Sequence, residues 1–271
     1  MPLPVVLPWR PATRHALPVR LVVLRLVAVC AAVSWLVFPG FGVIDLLVTW
    51  SRAWYEVLEA GWGLFSTVLV AAAFVAVAVR PRRCAPALGQ LGVATAALLV
   101  AALAGGEPPA LLLVAVLAGE TVVVTALALT LPGREPVRPF RFSLSVPLLA
   151  LALAGTGPWI GYAVAVLRTS RTAEPLDVTV GVDHATVQGA LAVALAALPL
   201  LAALWPTGRR QFGVCSGLAG GYLGLVSIAW PGTPAGFEPR WSALALVWGV
   251  AVAVVAAGGR RVRVAAPERS G

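Results

Sequence analysis

Eight apolar stretches follow one another along this chain with only short connections between them, and arginines gather in every second connection. Each stretch is close to the 20 or so residues that a helix needs to cross a hydrocarbon core of about 30 Å. Within lipid a backbone must satisfy its own N–H and C=O groups, so unbroken apolar runs of this length form helices. The pattern predicts an all-α integral membrane protein, a polytopic bundle of about eight transmembrane helices. The expected spans are residues 21–38, 61–79, 85–104, 110–131, 146–167, 187–205, 213–230 and 241–257. Composition agrees: 60% of residues are hydrophobic and 11% charged, against roughly 25% charged in soluble domains. A soluble fold would lack the polar residues to cover its surface.

The charges assign an orientation. All twenty basic residues are arginine, and sixteen of them lie in the tails and alternate loops that a single side of the membrane would share. These are Arg10, Arg14, Arg20 and Arg25; Arg80, Arg82 and Arg83; Arg134, Arg138 and Arg141; Arg209 and Arg210; and Arg260, Arg261, Arg263 and Arg269. Eight of the eleven acids fall in the opposite loops: Asp45, Glu56, Glu59, Glu107, Glu174, Asp177, Asp183 and Glu238. The excess of basic residues on cytoplasmic loops then places both termini in the cytoplasm of a multi-pass plasma-membrane protein. The formal charge of +9 is thus an orientation signal rather than a phosphate-binding face, which argues against nucleic acid and leaves the lipid bilayer as the partner. Trp50, Trp54, Trp62, Trp230, Trp241 and Trp205 sit where interface belts are expected, whereas Trp35 and Trp159 are placed between helices.

Four segments follow from this: a cytoplasmic Pro/Arg tail over 1–20, a four-helix half over 21–145, a second over 146–258, and a cytoplasmic tail over 259–271. The halves read as a parallel 4+4 repeat, offset by roughly 125–130 residues. In each, a span ends at proline with arginines and a Glu-Pro loop follows (Glu107-Pro108; Glu238-Pro239). Residues 43–60 pattern as one amphipathic helix, with Asp45, Arg52, Glu56 and Glu59 on a narrow stripe. It is expected to lie in the outer interface or to pack as a lid on the bundle.

Glu120 is the sharpest candidate for chemistry, since it lies near the centre of the fourth span. A charged carboxylate there costs about 2.5–3.5 kcal/mol on insertion scales, so it must be protonated, paired or hydrated. Thr95 lies at similar depth across the hairpin of spans three and four and is the expected partner. Glu120 is expected either to glue helices together or to serve a proton or cation. Gly213, Gly217 and Gly221, with Gly220 and Gly224, have the spacing that lets helix backbones approach. Pro158, within Gly155-Thr156-Gly157-Pro158-Trp159, permits a kink. At the outer face the candidates are Asp45, Asp177, Asp183 and His184. Asp183 reads as a helix N-cap, and one histidine with no second nearby reads as a poor metal ligand. Cys30, Cys84 and Cys215 have no metal-ligand spacing either. Neither a metal nor a cofactor is expected.

The motifs of common nucleotide-binding and hydrolytic enzymes are missing. Sparse intramembrane polarity favours a non-catalytic membrane subunit or scaffold that meets a membrane-protein partner. The alternatives are a proton- or ion-coupled small-molecule transporter using Glu120, and a membrane-embedded enzyme acting on a lipid-linked substrate at the outer face.

Overall fold

The computed structural model describes residues 19–51, 55–131 and 143–258. The terminal tails, Arg52, Trp54 and the Arg134–Arg138–Arg141 loop lie outside the described residues. Among those described, the protein is an all-α membrane bundle with eight membrane-spanning helices and one short helix. In chain order these are α1 (Val19–Leu36), the short α2 (Gly42–Val48), α3 (Glu56–Val79), α4 (Ala85–Gly105), α5 (Pro108–Leu129), α6 (Val146–Thr172), α7 (His184–Leu204), α8 (Arg209–Ala229) and α9 (Pro239–Gly258). A two-residue-per-strand hairpin, β1 (Val178–Thr179) and β2 (Val182–Asp183), precedes α7.

Local chemistry sets the boundaries. Proline stands in the first turn of α4, α5 and α6, where its missing N–H costs nothing. The Asp183 carboxylate accepts from the Ala185 amide at 2.9 Å and caps α7. Gly106 ends α4 at φ 71°, a left-handed value that glycine takes without steric cost.

The helices are not equally placed. α7 has 72% of its span buried, and α3 and α8 61%, whereas α5 and α9 have 22%. α3, α7 and α8 therefore form the interior, with α1, α5, α6 and α9 outside them presenting apolar side chains to lipid. α9 packs on α8 through the glycine row. A Cβ at Gly217 would meet the Gly249 carbonyl oxygen at 2.5 Å, and one at Gly224 the Leu246 amide at 2.6 Å. A Cβ at Gly213 would overlap that of Ala256, and one at Gly220 would lie 2.8 Å from the Trp248 ring.

Two expectations change. Residues 43–60 are not one helix: α2 ends at Val48 and α3 begins at Glu56, five residues before the expected second span. The acids of the stripe do not face water, since Asp45, Glu56 and Glu59 are all buried against the bundle. The segment packs on the protein's own helices, as a lid would. Trp62 is not in an interface belt either; it is fully buried inside the bundle.

Candidate acid–histidine site at one end of the bundle

α3 and α7 begin at the same end of the bundle, and the first turns of both carry ionisable side chains inward. Glu59 and Trp62 are one turn apart on α3; His184 and Gln188 are one turn apart on α7. The Trp62 and His184 rings stack, with centroids 4.7 Å apart and planes 24° from parallel. The Trp62 indole is fixed by donating to the Gly40 carbonyl at 2.7 Å.

The hairpin supplies the next group. Val178 pairs with Asp183 and Thr179 with Val182, leaving Val180 and Gly181 as a two-residue turn with φ of 49° and 82°. Positive φ at both turn positions matches the twist of tight hairpins. The His184 amide continues the ladder by donating to the Asp177 carbonyl at 3.1 Å. Asp177 is thereby folded onto the start of α7. The His184 Nδ1 lies 3.9 Å from Asp177 Oδ2 and 4.0 Å from Glu59 Oε2, while its Nε2 is 2.8 Å from the Thr179 hydroxyl.

α2 completes the site. The Asp45 carboxyl lies beside that of Glu59, which also neighbours Asp177. Burial, and then the charge of Asp177, push Asp45 up to about 7, against a partial offset from the Glu59 carboxyl. One oxygen each of Asp45 and Asp177, and His184 Nδ1, are buried atoms with no hydrogen-bond partner among the described residues. His184 is only 1% exposed. Glu59, Asp177 and His184 each offer a ligand atom, and these atoms lie within 4.8 Å of one another.

Asp183, Asp45, Asp177 and His184 all lie at this end, but the Asp183 carboxylate is engaged as the cap of α7. The first turn of α7 is also held by Glu107, whose carboxylate accepts from the Asp183 amide at 3.4 Å and the Thr186 hydroxyl at 3.3 Å. A cavity of about 230 Å³ lies at the same end, lined by Leu58, Tyr162, Ser170, Asp183, Ala185 and Gly236 among others. Leu58 and Asp183 immediately precede Glu59 and His184, so the cavity backs onto the chain segments of the site. The Gln188 amide nitrogen donates to the Tyr162 hydroxyl at 2.7 Å, and Tyr162 donates to the Ala235 carbonyl at 2.7 Å.

Further along α3, residues Phe65–Ala71 form a π-helical segment. Such segments occur mostly as single turns within α-helices, frequently at functional sites. The Gln90 amide of α4 donates to the Val68 and Leu69 carbonyls of this segment at 3.1 and 2.8 Å. Gln211 of α8 in turn donates to Gln90 Oε1 at 3.2 Å. The buried Ser66 hydroxyl lies between the acid cluster and this glutamine pair in the order of α3, and it has no hydrogen-bond partner among the described residues.

Glu120 stands apart from this centre. Its carboxylate accepts from the Trp35 indole at 2.7 Å and the Ser34 hydroxyl at 3.4 Å, both on α1. Thr95 is not its recorded partner; that hydroxyl donates to the Leu91 carbonyl within its own helix at 2.8 Å. Equal depth along a hairpin does not fix the face that each residue presents, and the first span supplies the donors instead.

Sequence reasoning missed Glu59, Trp62, Thr179, Gln188 and the Gln90–Gln211 pair as site members. Two signals were available: Glu59-x-x-Trp62 opening an apolar run, and the alternation Asp177-Val-Thr-Val-Gly-Val-Asp-His184, which folds the two ends of that octet together.

The fold and this site define a polytopic α-helical membrane protein with a buried acid–histidine centre at one end. Comparison with known proteins finds no matching family model, no similar curated protein and no similar solved structure.

Proposed function

We propose that this chain is a multi-pass plasma-membrane transporter coupled to a cation, with both termini cytoplasmic and its ion site at the outer end. The observation that carries this reading is the grouping of buried Asp45, Glu59 and His184 with half-buried Asp177. Ionisable side chains within membrane helices are costly and cluster where ions or protons are handled. The π-helical segment of α3 and the Gln90–Gln211 pair add support, since they continue polarity from the acid cluster toward the arginine-bearing end. The cavity beside Leu58 and Asp183 supports a small-molecule site next to the ion.

The coupling role passes from Glu120 to this centre. With donors from Trp35 and Ser34, Glu120 suits the role of glue between α1 and α5. A purely non-catalytic subunit offers no physical reason to concentrate three acids and a histidine at one end of the bundle.

The test is cation movement into proteoliposomes under an imposed membrane potential, read with trapped pH-sensing and metal-sensing dyes. Flux should exceed that of empty vesicles, fall at least tenfold in Glu59→Gln and Asp177→Asn, and persist in Glu120→Gln. Flux equal to that of empty vesicles, or unchanged in Glu59→Gln, would overturn the reading.

A further inference from the structure

We propose that Glu59, Asp177 and His184 bind one divalent transition-metal ion of the zinc class. The inference rests on reading the centre as an ion site and names the ion.

Three features of the geometry point to a metal. First, His184 is oriented as a ligand. Its Nε2 lies 2.8 Å from the Thr179 hydroxyl. With the proton on Nε2 donated to that oxygen, Nδ1 carries a lone pair. A metal-bound imidazole is ordinarily held by such a bond from its other nitrogen, which fixes tautomer and ring direction. The stack on Trp62 holds the ring plane.

Second, that lone pair has nothing to bond to among the described residues. Nδ1 is buried with no hydrogen-bond partner among them, and so is Asp177 Oδ2, the oxygen facing it. The separations of 3.9 and 4.0 Å to Asp177 and Glu59 are too long for hydrogen bonds. They exceed by only a few tenths of an ångström the roughly 3.3–3.6 Å that separates ligand atoms around a tetrahedral ion bound at about 2.0–2.2 Å. An ion between these three atoms satisfies all of them after side-chain shifts of a few tenths of an ångström.

Third, the charges balance. Two carboxylates and a neutral imidazole neutralise a divalent cation. The ion thereby removes the repulsion between Glu59 and Asp177 that burial otherwise intensifies. Asp45 lies beside Glu59 in the next layer out.

The ligand set selects the class. Calcium and magnesium take oxygen ligands, whereas imidazole with carboxylates suits zinc and its neighbours. Three protein ligands leave a coordination position open, the arrangement of sites that exchange or react rather than of closed structural sites.

The experiment is equilibrium dialysis of the full-length protein in detergent against Zn²⁺, with metal content measured by mass spectrometry, and Co²⁺ as a spectroscopic probe. Wild type and Glu120→Gln should each hold one Zn²⁺ per chain, and Co²⁺ should give visible absorption bands of a nitrogen–oxygen site. Glu59→Gln and Asp177→Asn should bind at least tenfold more weakly. His184→Gln should lose the bands, and where a variant fails to fold, the wild-type Co²⁺ spectrum and stoichiometry decide. No stoichiometric Zn²⁺ in wild type, or equal binding in Asp177→Asn, would overturn the proposal. Flux is measured separately: proton flux lost in Glu59→Gln without metal binding removes the metal and keeps the coupling site. Metal binding without any flux does the reverse.

Discussion

The glycine row on α8 makes a prediction in which two residues of one motif respond in opposite directions. Gly217 and Gly221 are one turn apart and both face α9. At Gly217 an added Cβ would lie 2.5 Å from the Gly249 carbonyl oxygen and 2.7 Å from the Ala253 amide nitrogen. Both are backbone atoms, so no side chain can rotate away, and the two helices must part by roughly 0.7–0.9 Å to restore ordinary contact. Overpacking of this kind costs about 1–3 kcal/mol. At Gly221 the nearest atoms would be 3.7 Å away, the Gly249 Cα and the Leu246 carbonyl oxygen. Here alanine fits, and it relieves the conformational cost of a mid-helix glycine, about 0.5–1 kcal/mol. Gly217→Ala should therefore destabilise the protein by about 1–3 kcal/mol, and Gly221→Ala should leave it unchanged or stabilise it by up to about 1 kcal/mol. Reversible unfolding in mixed micelles with increasing denaturing detergent reads both. Equal effects at the two positions, or a larger loss at Gly221, would refute the packing of α8 on α9 described above.

Three further predictions concern charge. In chelator-containing buffer, Asp45 keeps its proton in the folded protein up to about pH 7 and releases it near 3.8, its ordinary carboxylic-acid value, when unfolded. The native state then binds more protons across that window, so stability should fall as pH rises from about 4 to 7, and Asp45→Asn should flatten the slope measured by unfolding. Trp35→Phe and Glu120→Leu should each destabilise the bundle, with a coupling of about 0.6–1.7 kcal/mol in a double-mutant cycle; zero coupling would break the assignment of Glu120 as glue between α1 and α5. Cysteines placed at Glu174 and Arg82, both exposed, should label in whole cells from outside and only after permeabilisation, respectively. The opposite pattern would invert the orientation.

The class of fold was legible because it rests on local quantities. Each span is an uninterrupted apolar run, and every observed span overlaps its expected counterpart, from Val19–Leu36 to Pro239–Gly258. Boundaries failed where a polar residue is buried. Glu56 and Glu59 read as the polar stripe of an interface helix or lid, and only their burial, with Glu59 against His184, reveals the start of α3 as part of the interior. The same physics hid the site. Asp177 and His184 are seven residues apart, and their meeting depends on a tight turn at Val180–Gly181. Glu59 is far away in sequence and reaches them only because α3 and α7 begin side by side. Glu120 stood out because a lone acid in an apolar run is visible without any fold, whereas its partners, Ser34 and Trp35, come from another helix and carry no pattern that announces them.

The central claim is that Glu59, in the first turn of α3, and Asp177, just before β1 and more than a hundred residues away in sequence, face one another. Its most direct test places cysteines at both positions in a background lacking Cys30, Cys84 and Cys215, and treats native membranes with a short thiol-bridging reagent. An intramolecular cross-link between Glu59→Cys and Asp177→Cys, seen as an intact-mass increment without free thiols, is the predicted result, with none between Glu120→Cys and Asp177→Cys. Free thiols remaining at both positions, or equal bridging in the two pairs, would contradict the site and the functional reading built on it.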